Sequence, residues 1–107
     1  MEETSYLDDS RFLSVDFEVF GLVQGVYFRK YALQAATKIG VTGYVKNTRN
    51  GSIKGVLQGN RPNVRKMQQW LYQEGSPECV IQGCQFQNER ELINPEFYQF
   101  KIDLNDW

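Results

Sequence analysis

Apolar and polar positions alternate cleanly near the start of the chain. In Val15-Asp16-Phe17-Glu18-Val19-Phe20 the odd positions are apolar and the acids fall between them. That period predicts a half-buried strand over residues 14–21. The period then changes: Phe28, Ala32, Ala35, Ala36 and Ile39 recur at helical spacing and predict a helix over 28–39. Gly40 suits the left-handed conformation that closes many helices. Val41 to Thr48 and Ser52 to Gln58 read as two further strands, the second with Ile53 and Leu57 on one face. Asn50-Gly51 stands between them and predicts a tight antiparallel hairpin, with a type I′ turn that needs φ > 0 at both residues.

Gly59-Asn60-Arg61-Pro62 starts a second helix, with an Asn able to cap and a proline suited to the first turn. Val64, Met67 and Leu71 line one face of it, and it ends at Gly75-Ser76-Pro77. Met67 and Trp70 read as core and core edge. A fourth strand over 81–88 carries Cys84 and Phe86 on one side, and a last strand covers 97–103 with Tyr98, Phe100 and Ile102 alternating. The order β-α-β-β-α-β is the split βαβ pattern of an α+β, ferredoxin-like sandwich, with two helices packed on one face of an antiparallel sheet. Its first strand lies centrally, so the loop leaving that strand opens at the sheet's end beside the strand that follows the first helix. Residues 1–12, with Glu2, Glu3, Asp8 and Asp9, read as a mobile acidic lead-in; 13–103 form the domain and 104–107 a short tail.

A length of 107 residues suits one domain, and 14% aromatic with 41% hydrophobic residues argues against disorder. The longest uncharged stretch falls short of a bilayer span, and Met1-Glu2-Glu3 is unlike a basic signal-peptide start. A cytoplasmic, monomeric protein with no membrane partner is the expectation. Cys79 and Cys84 are too few for a disulfide framework and read as small reduced hydrophobes. The chain has no histidine. That excludes a Ser-His-Asp or Cys-His nucleophile, a histidine metal ligand and an imidazole acid–base. Charge is also unevenly placed. Residues 19–73 contain no acid and nine of the twelve basic residues, a formal +9 against −10 for the flanks. Such a region reads either as one that attracts anions or as several solvated faces that share a sign by chance; as a partner, a small anion fits better than nucleic acid, given the acidic flanks and a net charge of −1.

The candidate chemistry lies where strand, loop and helix meet, at Gly21-Leu22-Val23-Gln24-Gly25-Val26-Tyr27-Phe28-Arg29. Two glycines let consecutive N–H groups turn toward one point, and the helix start adds unpaired N–H groups. Arg29 supplies a planar fork for phosphate oxygens. The spacing is neither that of a P-loop nor of the dinucleotide glycine motif. In Gly43-Tyr44-Val45-Lys46-Asn47-Thr48, Asn47 offers both donors and an acceptor where the second strand faces the loop, and could hold a water in line with a bound phosphoryl group.

Gly21 to Arg29 resembles the G-x-V-Q-G-V-x-[FY]-R signature of the acylphosphatases. Gly43-Tyr44-Val45-Lys46-Asn47-Thr48-Arg49-Asn50-Gly51-Ser52-Ile53 resembles their second signature, G-[FYW]-V-[RK]-N-x-x-[DN]-G-x-[VIL]. Both match at every defining position. Gly75-Ser76-Pro77 also resembles the eukaryotic members, and the resemblance covers about residues 13–103. It implies hydrolysis of a carboxyl-phosphate bond to a carboxylate and inorganic phosphate, without metal or cofactor. It also implies that Arg29 and loop amides of Val23, Gln24, Gly25, Val26, Tyr27 and Phe28 bind the phosphoryl group while Asn47 orients the water. The substrate would be a small-molecule acyl phosphate or an aspartyl-phosphate. A carboxylate leaves without a proton, so such an enzyme needs no strong general acid, which suits a chain without histidine. The rival reading is a non-catalytic anion-binding or regulatory module on the same architecture. An RNA-recognition module would need exposed aromatics on its central strands, whereas Phe17 and Phe20 fall on opposite faces.

Overall fold

The computed structural model describes residues 11–105; most of the acidic lead-in and the last two residues of the tail lie outside them. The first strand, β1 (Phe12–Leu22), follows its period. Leu13, Val15, Phe17 and Val19 are buried, while Asp16, Glu18 and Phe20 are half-buried on the opposite side. The first helix, α1 (Phe28–Ile39), buries Phe28, Ala32 and Ala36, and Ala35 and Ile39 flank them at the core edge. Alanines let the helix axis approach the sheet closely. Gly40 ends it at φ 99°, ψ 35°, with its N–H donating to the Ala36 carbonyl at 2.8 Å.

Strands β2 (Thr42–Asn47) and β3 (Ile53–Asn60) pair antiparallel, with Asn47 opposite Ile53. The hairpin is therefore as expected, but its turn is not type I′. Only Gly51 has φ > 0 (91°); Asn50 does not. The Gly51 N–H donates to the Thr48 carbonyl and the Thr48 N–H to the Ser52 carbonyl, which makes a three-residue loop closed by a left-handed glycine. Pairing between Thr48 and Ser52 uses up the residues a two-residue turn would have needed.

The second helix, α2 (Arg61–Gln69), has Pro62 in its first turn, but Asn60 makes no side-chain cap. It widens into a π-helical turn over Trp70–Glu74, closed by the Gly75 N–H on the Trp70 carbonyl at 3.0 Å. Val64, Met67 and Leu71 are buried, and the half-buried Trp70 meets Phe28 edge to face with ring centroids 5.4 Å apart. Met67 and Trp70 thus serve as core and core edge.

Two strands follow, β4 (Val80–Leu92) and β5 (Phe100–Ile102). The sheet order is β4-β1-β3-β2-β5, with β1 and β3 interior and one hydrophobic cluster joining the sheet to both helices. Two features differ from expectation. The sheet is mixed, because β5 runs parallel to β2 and adds a fifth strand at that edge. The last strand is also short, since Tyr98 lies outside it and is exposed. On β4 the pairing slips by one residue between Phe20–Gly83 and Gly21–Ile81. That bulge brings Ile81 to the same face as Cys84 and Phe86, all three packed against the core.

Candidate active site

The backbone leaving β1 has to turn sharply, and both glycines of the loop are required. Gly21 sits at φ 131°, where an added Cβ would collide with the Val80 carbonyl oxygen. Gly25 sits at φ 77° with open space around it, so its conformation, not crowding, selects glycine. The loop then enters α1 through Tyr27, itself left-handed at φ 60°, ψ 25°. No side chain caps this helix and no acid stands in its first turn. The Tyr31 N–H is the first to bond back, to the Tyr27 carbonyl at 3.1 Å, so the amides before it are free to face an anion.

A cavity of about 410 Å³ opens at this end of the sheet, lined by Val23, Gln24, Gly25, Tyr27, Phe28, Arg29, Lys30, Asn47, Ile102 and Leu104. Arg29 and Asn47 therefore share one cavity although they come from different elements, the first turn of α1 and the last residue of β2. Among the described residues the Arg29 guanidinium has no ion pair, and the buried Oδ1 of Asn47 has no hydrogen-bond partner. Among the described residues no carboxylate lines the cavity. Two cations, a helix start and an unpaired amide oxygen suit an anion with a water beside it.

Of the nine cations in the acid-free span, Arg29 and Lys30 line this cavity. Others are engaged elsewhere. Lys46, buried at 3% exposure, stands 3.5 Å from the Asp103 carboxylate, and Arg65 forms a two-pronged pair with Glu89 at 2.8 and 2.9 Å. A second, smaller cavity of about 250 Å³ lies on the sheet face away from the helices, between Asp16, Glu18, Tyr44 and Lys54. Its two carboxylates make it the wrong place for a phosphoryl group. Burial, with Asp16 and Asp103 adding to it, pushes the Tyr44 hydroxyl above its ordinary pKa.

Most of the predicted loop residues line the cavity; Val26 instead turns its side chain to the core. The side chain of Gln24 has a role that the motif alone did not reveal. Its Nε2 donates to the carbonyls of both Thr48 and Ser52 at 2.8 Å, bridging the loop to the hairpin that carries Asn47. The hairpin is braced in turn. Thr48 Oγ1 lies 2.7 Å from Ser52 Oγ, and Ser52 Oγ donates to Glu18 at 2.5 Å. Lys30, Ile102 and Leu104 also line the cavity without having been singled out. The signal for Leu104 was available, because it continues the alternation of Phe100 and Ile102. Cys79 and Cys84 are free and half-buried, and burial pushes the Cys84 thiol up to about 11. Such a thiol is a poor nucleophile.

The chain is similar in sequence and in fold to known proteins. The sequence profile described as Acylphosphatase matches residues 15–102. The chain is 47% identical over 96 residues to acylphosphatase-1 of Xenopus laevis, covering 90% of this chain and 97% of that protein. It is also 47% identical over 89 residues to human acylphosphatase-2, covering 83% and 90%. The crystal structure of the Bacillus subtilis acylphosphatase superposes with a TM-score of 0.77 at 26% identity, over 85% of this chain and 98% of that one. With a family profile spanning most of its length and relatives this similar, the chain belongs to the acylphosphatase family.

Proposed function

We propose that Arg29 and the amides of Val23, Gln24, Gly25, Val26, Tyr27 and Phe28 hold the phosphoryl group of an acyl phosphate, while Asn47 orients the attacking water. The chain is an acylphosphatase, and the reaction is hydrolysis of the carboxyl-phosphate bond of a small-molecule acyl phosphate. Water adds to phosphorus, the bond from phosphorus to the acyl oxygen breaks, and the carboxylate leaves with the electron pair. Inorganic phosphate is the second product. The carboxylate is a weak base and needs no proton, so the catalytic burden falls on positioning and charge. Arg29 and the amides neutralise charge spread over the three phosphoryl oxygens of a loose transition state. The Asn47 Oδ1 accepts one O–H of the water and directs its lone pair at phosphorus. The second water proton passes to a phosphoryl oxygen.

One observation carries this reading: a guanidinium with no ion pair among the described residues and a buried, unpartnered amide oxygen line the same cavity. A purely anion-sensing module would have no use for that second group. Two free thiols suit a reducing compartment such as the cytoplasm. The test is phosphate release from benzoyl phosphate with and without excess chelator. Equal, rapid release is expected. No release refutes the hydrolytic reading, and strong inhibition by chelator refutes the metal-free scheme.

A further inference from the structure

Another cavity, of about 620 Å³, opens between α1 and the π-helical turn that ends α2. Gly75 takes the chain out of that turn at φ 67°, where an added Cβ would strike Cys79 Sγ and crowd the Phe28 ring. The next residue, Ser76, lines the cavity at 2% exposure, yet its Oγ has no hydrogen-bond partner. A hydroxyl buried in this way has given up water for nothing and weakens the fold. Asn47 Oδ1, orphaned likewise, belongs to a residue of the catalytic cavity. We infer that the cavity beside the π-helical turn is a second ligand site, for a small uncharged aromatic molecule whose oxygen meets the Ser76 hydroxyl. Its volume lies within the range of small-molecule sites.

The lining sets the ligand class. Tyr31 and Trp70 supply two rings, and the half-buried Ala35 and Ile39 add apolar surface. A planar ring placed against them loses water and gains ring contacts that a chain of similar size would not. Two charged side chains, Lys38 and Glu74, are exposed at the rim with opposite signs, so a net charge on the ligand brings no advantage. The catalytic cavity is built the other way, with Arg29 and Lys30. The Ser76 hydroxyl can donate to a carbonyl oxygen, which completes the match. Among the described residues the two cavities have no lining residue in common, so both can be filled at once. Trp70 and Phe28, in edge-to-face contact, stand one in each lining and form the wall that joins them.

The test titrates the full chain with benzamide, followed by proton–nitrogen NMR. The amides of Ser76 and Cys79 and the Trp70 indole N–H should shift and saturate, while those of Gly25 and Asn47 stay in place. Excess inorganic phosphate should leave the dissociation constant unchanged. Ser76→Ala should weaken benzamide binding by about three- to tenfold, the range for one lost hydrogen bond. Without ligand its Tm should be no lower than that of the unmodified chain, because the hydroxyl it loses has no partner in the fold. Benzoate, the same ring with a charge to desolvate, should bind about threefold more weakly or worse. Shifts that never saturate, or that saturate at Gly25 and Asn47 instead, overturn the site. Unchanged affinity in Ser76→Ala overturns it too, and so does a lowered Tm, which would give the hydroxyl a structural role. Benzoate binding as tightly as benzamide overturns the uncharged class.

Discussion

The side-chain amide of Gln24 donates to the carbonyl of Thr48 at 2.8 Å, and this bond ties the loop that leads to Arg29 to the strand end that carries Asn47. The same nitrogen reaches Ser52, so one side chain closes the gap between the two halves of the candidate site. Gln24→Leu keeps the size and removes both bonds. Stability should fall by about 1–2 kcal/mol, the scale for stripping partners from part-buried carbonyls. Turnover should fall beyond what the loss of folded protein explains, because Arg29 and Asn47 lose their fixed separation. Full kcat in the folded variant, measured below its unfolding transition, would contradict the bridging role.

Asn47→Ala removes the water's acceptor and leaves the phosphoryl grip in place. Turnover should drop on the order of 10²–10³-fold, by analogy with removing one preorganised hydrogen-bonding group. Inhibition by inorganic phosphate should persist. Asn47→Asp adds a negative charge to a cavity lined by none and should weaken phosphate inhibition as well. Near-normal turnover in the alanine variant would remove Asn47 from the chemistry.

Arg29 stands in a cavity where among the described residues it has no other ion pair, so its charge is available to substrate. Arg29→Ala should raise the phosphate inhibition constant and lower turnover together. Arg29→Lys keeps the charge and loses the fork, and should recover little activity. Wild-type kinetics in the lysine variant would mean that charge suffices.

Asp103 gives a pH prediction. The Asn105 N–H, and then Lys46, hold its carboxyl below the usual carboxylate range. A depressed folded pKa stabilises the fold above the unfolded value of about 3.9, and that contribution is lost as pH falls through the folded value. Asp103→Asn should therefore be less stable than the unmodified chain at neutral pH, and the difference should shrink toward zero as pH falls through the depressed folded value. A difference that stays constant across the acid range would show that the carboxylate is not the stabilising group.

Much of this protein is local information. The period-two run over Val15–Val19 and the period-3.6 run over Phe28–Ile39 each determine which face is buried, because alternation and helical repeat are properties of the backbone. The two glycine-containing signatures likewise determine the loop and the hairpin, since few residues tolerate φ > 0 at Gly21, Gly25 and Gly51. The turn type escaped that logic. Whether Asn50 joins Gly51 in the left-handed region depends on the pairing of Thr48 with Ser52, a contact that exists only once both strands are aligned.

Tertiary structure decided the rest. The direction of β5 follows from its docking beside β2, with the Gly43 N–H on the Gln99 carbonyl and the Asp103 N–H on that of Val45, and local pattern carries no such information. That docking delivers Leu104, distant in sequence from the loop, to the lining of the same cavity. The same holds for Gln24, whose neighbours in the chain do not predict that its amide will meet Thr48 and Ser52. Residue types and their spacing pointed to a candidate anion site and to the groups that could serve it. The closeness of those groups was decided by strands that meet only when the sheet closes over its shared core.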